Sequence, residues 1–295
     1  MADTNLRQAK AKINTVGIVS EKNLKEVVED GAKRIEGSIT VKTSDVNFVK
    51  YNVRVAEKTK AGADNQAYAG IVTVMETYKP ISEVGENDAD KVRVTGDINL
   101  YRNKASGEEV VSYKSNFFNR IKSGEEFVPG AEFEVEVFIS AIVPEMDSEG
   151  EETGRVLVKG WVPTYAGIEP IVLVANNDEG IASAIESTYE PGQTVAFYGE
   201  AINNKVVITR EIPVAIGKPR VDVKTTYKNE LLITGATEAY EEGVSLEKPY
   251  DATVIKAAIQ ERTNKIEEEK NKEAKAKPAT TQKPSGAAKG RTINW

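Results

Sequence analysis

Residues 48–55 read Phe-Val-Lys-Tyr-Asn-Val-Arg-Val, the cleanest two-residue period in the chain. The alternation puts Val49, Tyr51, Val53 and Val55 on one side and Phe48, Lys50, Asn52 and Arg54 on the other. With the apolar set turned inward, a phenyl ring stands in water beside two cations and an amide, and Lys42 of the preceding strand joins them. Such a mixture suits a ligand that is both flat and negatively charged: rings stack on bases, at about 1–3 kcal/mol each, and cations meet phosphates. Arg93 lies on the polar side of a later strand, and Tyr101, Arg102 and Lys104 form an aromatic and basic cluster on the turn after it. The next strand adds Lys114, Phe118 and Arg120. Phe117 and Phe118 are adjacent, so alternation cannot seat both in a core and one is expected outside. Trp161 shares a parity with Arg155 and Lys159, with Tyr165 in the following turn, and could form a second, weaker stacking site. The plainer reading of every one of these residues is a solvated cation or a packed ring, with Trp161 in a core.

Catalytic chemistry finds little support. The chain contains no histidine and no cysteine, which removes the usual general base near neutral pH, disulfides, and thiolate or imidazole metal sites. Asp147, Glu149, Glu151 and Glu152 lie close together, as do Glu83, Glu86, Asp88 and Asp90, yet neither group has the spacing of a helix–loop–helix calcium site. Both read as solvated loops. No glycine-rich phosphate loop is present. No cofactor and no enzymatic activity are expected. No run of about 18 apolar residues marks a membrane span, and residues 1–7 lack the apolar stretch of a secretion signal, so a cytoplasmic location is expected.

The elements that must carry these residues occur in two similar sets. One copy reads Val92-Arg93-Val94-Thr95-Gly96-Asp97-Ile98-Asn99 and the other Val195-Ala196-Phe197-Tyr198-Gly199-Glu200-Ala201-Ile202-Asn203, with Ala201 inserted after the acid. In the first set, strands are expected over 13–19, 35–42 and 48–55, a polar segment open to strand or helix over 20–33, a helix over 68–78, and strands over 91–98 and 110–121. In the second they are expected over 134–143, 155–163 and 170–175, with a helix over 180–189, a strand over 194–202, a turn at Asn203-Asn204 and a last strand over 205–212. Three strands, a helix and two strands is the order of a five-stranded OB barrel. The expected fold is therefore mainly β: two tandem five-stranded OB-like barrels, a C-terminal helix and a disordered tail. The expected divisions are a basic barrel over 1–122, an acidic barrel over 131–213, a strand and helix appendage over 214–273, and a basic tail over 274–295. Net charge is −7 overall, but it is uneven: +3 over 1–122, −13 over 123–213 and +3 over 214–295.

At the Val-x-Val-x-Gly strand ending in Gly96 and the turn after it, the first repeat resembles the single-stranded DNA-binding protein family. Residues 13–121 also resemble the OB-type single-strand binders of phages. The resemblance implies coating of single-stranded DNA in replication, recombination or repair, and recruitment of partner proteins through the C-terminal helix or tail. Such proteins often end in an acidic tail; this tail ends in Trp295 but carries Lys275, Lys277, Lys283, Lys289 and Arg291. It could instead touch DNA or the acidic second barrel. Two rivals stay open at this point: a virion structural protein built on β-barrels, and a carboxylate-based hydrolase.

Overall fold

The computed structural model describes residues 6–212, 220–245 and 247–276. Its first set comprises β1 (Ala11–Glu29), β2 (Ala32–Lys42), β3 (Phe48–Ala56), α1 (Gln66–Thr77), α2 (Ile81–Val84), β4 (Lys91–Arg102), β5 (Glu109–Lys114) and β6 (Phe118–Arg120). The second comprises β7 (Gly130–Met146), β8 (Glu152–Thr164), β9 (Gly167–Ala175), α3 (Ile181–Thr188), β10 (Thr194–Ile212) and β11 (Arg220–Ala236), followed by α4 (Ala252–Ala276).

In the first set β1 pairs with β2, β2 with β3, β3 in parallel with β5, β5 with β4, and β4 back with β1. In the second β7 pairs with β8, β8 with β9, β9 in parallel with β11, β11 with β10, and β10 back with β7. The two circuits are the same, 1-2-3-5-4-1, with a helix between strands three and four, which is the OB barrel. Each core is what the alternation demands. Ile35, Ile39, Val41, Val49, Tyr51, Val92 and Val94 fill the first barrel, and Val135, Val137, Val158, Leu173, Val195 and Phe197 the second.

Two expectations about the strands are sharpened or corrected. Residues 20–33, polar and open to strand or helix, are strand: β1 continues to Glu29 and turns into β2 at Asp30-Gly31, both with positive φ (52° and 76°). An Asp-Gly pair with two left-handed residues is the turn that matches strand twist in a two-residue hairpin. The second correction concerns the closing strand. Asn203-Asn204 is not a turn; β10 runs straight through it to Ile212. The strand that closes the second barrel is β11, so residues 231–234, read as part of an appendage, pair into the barrel wall. The fifth strand of the first barrel is also interrupted between β5 and β6, where Ser115 Oγ donates to the Thr95 carbonyl (2.7 Å) and accepts from the Phe117 amide (3.0 Å).

The shared signature glycines explain themselves by close approach. A Cβ on Gly96 would lie 2.6 Å from the Lys114 carbonyl oxygen and 2.8 Å from the Tyr51 ring; one on Gly199 would lie 2.0 Å from the Leu232 carbonyl oxygen. In both barrels strand five passes over this point, so only hydrogen fits. Gly96→Ala is expected to cost about 1–3 kcal/mol in denaturant unfolding, through displacement of Tyr51 and its buried 2.7 Å hydrogen bond to Thr15. The glycines also reveal how the barrels are joined. Gly96 pairs with Ile13, Gly199 pairs with Phe133, and Ile13 and Phe133 pair with each other. Equivalent residues of the two barrels are therefore cross-strand partners, and a local two-fold axis passes between β1 and β7. The antiparallel β1–β7 ladder makes one continuous eleven-stranded sheet.

A buried carboxylate ties the segments before β1 and after β11 to this junction. Glu136 on β7 is 2% exposed and accepts from Arg7 (2.7 Å), the Lys10 amide (2.9 Å), Tyr240 (3.1 Å) and Tyr250 (3.2 Å). Arg7 also lies over the Tyr250 ring at 4.8 Å. Burial works against the charge, but the Lys10 amide and Arg7 outweigh it and hold the carboxyl below its ordinary range. Burial and this carboxylate in turn push the Tyr240 hydroxyl up to about 12.

The helix expected within residues 214–273 is α4. Asp251 Oδ1 accepts from the Thr253 and Val254 amides at 2.7 and 3.1 Å, capping α4. Ile255 and Ala258 are buried. Arg262 reaches Glu109 of the first barrel (2.7 Å) and Glu169 of the second (2.8 Å), so the helix braces both. The tail expected over 274–295 lies outside the described residues beyond 276.

Candidate nucleic-acid interface

The outer row of β3 stands as its alternation dictates. Lys50, Asn52 and Arg54 are exposed and Phe48 is half-buried, while Val49, Tyr51, Val53 and Val55 are inside. The pairing of β3 with β5 sets Asn52 beside Lys114, and that of β5 with β4 sets Lys114 beside Asp97. Lys114 Nζ donates to Asn99 Oδ1 at 2.7 Å. Among the described residues Lys50, Arg54, Arg93, Arg102 and Lys114 form no ion pair, although Arg54 lies close enough to act on Glu29 and Arg102 on Glu269.

Other members of the sequence-derived set are engaged elsewhere. Lys42 is held by Glu86 (2.8 Å) and Asp45 (2.9 Å), which raises its pKa, Glu86 foremost. Arg120 is bound to Asp90 at 2.8 Å and stacks over Tyr78 at 4.4 Å, on the side of α1. Arg93 lies beside Val16 and Asn119, away from β3. Tyr101 and Arg102, expected on a turn, are the last residues of β4: Tyr101 is 42% exposed and pairs with Val110, and Arg102 pairs with Glu109; Lys104 of the turn that follows contacts Glu269 of α4 at 2.7 Å. Phe118 is corrected: it is a core residue, 6% exposed, packed edge-on against Tyr51 at 5.9 Å. Its neighbour Phe117 takes the outer place at 62% exposure, because the break between β5 and β6 shifts the alternation by one. Trp161 is partly buried on β8, with Arg262 6.0 Å from its ring, so it faces the helix brace.

The β3 row opens onto a groove of about 930 Å³ between the two barrels. Thr40, Phe48, Lys50 and Asn52 line one wall, and Leu157, Val172 and Val174 of β8 and β9 line the other. The groove is fastened at one end by a small clasp. Asn203 donates two hydrogen bonds there: its backbone amide to Asn47 Oδ1 (2.7 Å) and its Nδ2 to the Phe48 carbonyl (2.5 Å). The Lys205 amide donates to the Val46 carbonyl at 2.8 Å.

The inserted Ala201 makes this clasp possible. In the first barrel Asn99 follows Gly96 by three residues and faces outward to Ser112 and Lys114. In the second, Asn203 follows Gly199 by four, and on a strand one residue reverses the face. Ala201 takes the inward place of Ile98, and Asn203 is turned to the first barrel.

Sequence reading missed Asn203, Lys205, Leu157, Val172 and Val174, which line the groove. Lys205 is exposed and forms no ion pair among the described residues. Only the one-residue difference between the two signatures hinted that Asn203 plays a different part from Asn99.

Among the described residues there is no group of acidic side chains arranged to hold a metal ion, and no helix long and apolar enough to cross a membrane. The chain is similar in fold to the wild-type single-stranded DNA binding protein from Thermus aquaticus, at 6% identity and a TM-score of 0.47, covering 82% of this chain and 98% of that one. It aligns with a deletion mutant of that protein at 8% identity and a TM-score of 0.45, covering 82% and 100%. A replication protein A heterotrimer bound to ssDNA aligns at 10% identity and a TM-score of 0.19, over 89% and 70%. No curated protein matches the sequence. The profile described as YorF matches residues 10–272, nearly the whole of the described chain, and the protein belongs to the YorF family.

Proposed function

We propose that this protein binds single-stranded DNA without catalysis, coating and protecting exposed strands during replication, recombination or repair, in a phage-infected cell's cytoplasm. The observation that carries this reading is the outer row of β3. A half-buried ring, two unpaired cations and an amide stand on the strand-three face of an OB barrel, with Lys114 beside them. A polyanion with flat bases matches that row in both charge and shape. OB barrels use this face and the loops beside it for oligonucleotides. Tyr101 and Arg102, at the end of β4 beside the turn to β5, lie where such a loop contributes. Partner proteins would be recruited through α4 or the residues after it.

Two phenylalanines separate stacking from packing. Phe48→Ala is expected to weaken oligo-dT binding by about five- to hundredfold, the worth of one stacked base, with little change in unfolding. Phe118→Ala is expected to do the reverse, costing about 3–5 kcal/mol of stability as a core ring is lost. Paired fluorescence titration and denaturant melts of the two variants check this. Equal oligo-dT affinity of Phe48→Ala and the parent would move the site off this face. A parent that shows no strand binding at all would favour the structural role in a virion.

A further inference from the structure

We propose that one continuous strand lies in the groove between the barrels, with its bases turned toward Leu157, Val172 and Val174 of the second barrel. The inference rests on the single-strand reading above and extends it to a barrel whose net charge argues against DNA.

Three observations carry it. The first is the composition of the facing walls. Where β3 places Lys50 and Asn52 outward, the corresponding strand β9 places Val172 outward, and Leu157 of β8, half-buried, and Val174, buried, complete the wall beside it. Val172 is 47% exposed, and Val111 across the groove is 39% exposed. Aliphatic side chains left facing water on a barrel's outer side are paid for by whatever covers them. Bases present apolar faces, and aliphatic contact with them carries no sequence preference.

The second is charge. Lys50 on one side and Lys205 on the other form no ion pair among the described residues. Four carboxylates also line the groove, but three are already met: Glu109 by Arg262, Glu145 by Arg155, and Glu230 by Arg155 and Lys228. Glu21 alone is unpaired there. The groove thus offers two cations for phosphates at its edges without a field of bare acids between them.

The third is an unmet acceptor. Asn203 Oδ1 is buried at the groove and has no hydrogen-bond partner, although the rest of that side chain is fixed by the clasp. A buried acceptor without a partner costs free energy that a base N–H would recover. Phe48, half-buried at the same place, supplies a ring for that base.

The test uses the full chain and a dT oligonucleotide carrying 5-iodouracil. Photocrosslinking followed by peptide mapping is expected to label peptides that contain Leu157 or Val172 as well as those of β3. Val172→Asp, a change at an exposed position, is expected to lower dT affinity by about tenfold or more while the melting curve stays close to the parent's. Crosslinks confined to the first barrel, or a Val172→Asp variant that binds as the parent does, would overturn the shared groove and leave the single-strand reading standing. A parent that binds no dT would remove both.

Discussion

Replacing Lys50, Arg54 and Lys114 together with alanine is expected to lower oligo-dT affinity about 100-fold and to flatten its salt dependence. Each cation is unpaired, exposed and set on neighbouring strands of one face. At about 1 kcal/mol per contact, three contacts amount to about 3 kcal/mol, or two powers of ten. Each phosphate neutralised on a single strand contributes about −0.7 to the slope of log affinity against log salt, so the triple variant should lose about 2 from that slope. Arg120→Ala serves as the control, since its guanidinium is already held by Asp90 and Tyr78. A triple variant with the parent's slope would place the phosphates elsewhere. The fold should survive all three changes, because none of these side chains is buried.

The second large effect concerns stability. Glu136→Gln is expected to destabilise the protein by about 3 kcal/mol, the lower end for breaking a buried pair, because Arg7 keeps 33% of its side chain in water and can be rehydrated. The Tyr240 and Tyr250 hydroxyls would also lose a charged acceptor. The same carboxylate predicts a pH dependence. Its folded pKa lies below the ordinary value of 4.5, so its contribution is complete above that value and is lost as pH falls through the folded one. Denaturant melts of the parent should weaken as pH is lowered below about 4.5, and the Gln variant should lack that part of the loss. A variant as stable as the parent at neutral pH would show that the cluster contributes nothing net.

Much of this architecture was legible in the amino-acid order because strands announce themselves by period. Residues 48–55 could be read as a strand with an inner and an outer row, and the repeated glycine signature pointed to two barrels. The length of strands was less legible. Residues 20–29 alternate weakly, since β1 there extends into a hairpin with little core to cover, and only Asp30-Gly31 marked its end. At Asn203-Asn204 the turn-forming residue types misled: both side chains lie where the first barrel's turn meets β10, so tertiary hydrogen bonds override their local preference.

The candidate site divides in the same way. Sequence can say which residues share a face, but it cannot say which cations find a carboxylate. Lys42 and Arg120 stand out by charge alone, yet they are held by Glu86 and Asp90, residues 44 and 30 positions away. The pair Phe117-Phe118 carries no sign of the break at Ser115 that turns Phe117 out and Phe118 in. The apolar wall of β8 and β9 was invisible for a different reason. Valines and leucines on a strand read as core, and only closure of the barrel shows that Val172 is outside.

The most direct measurement is a fluorescence anisotropy titration of the parent protein with labelled oligo-dT and with a duplex of equal length, at about 50 and 200 mM salt. With three phosphates neutralised, affinity for the single strand should fall about twentyfold between the two salts, and the duplex should bind more weakly at both. Binding that ignores salt, or that shows no preference for the single strand, would contradict a basic face built to hold one.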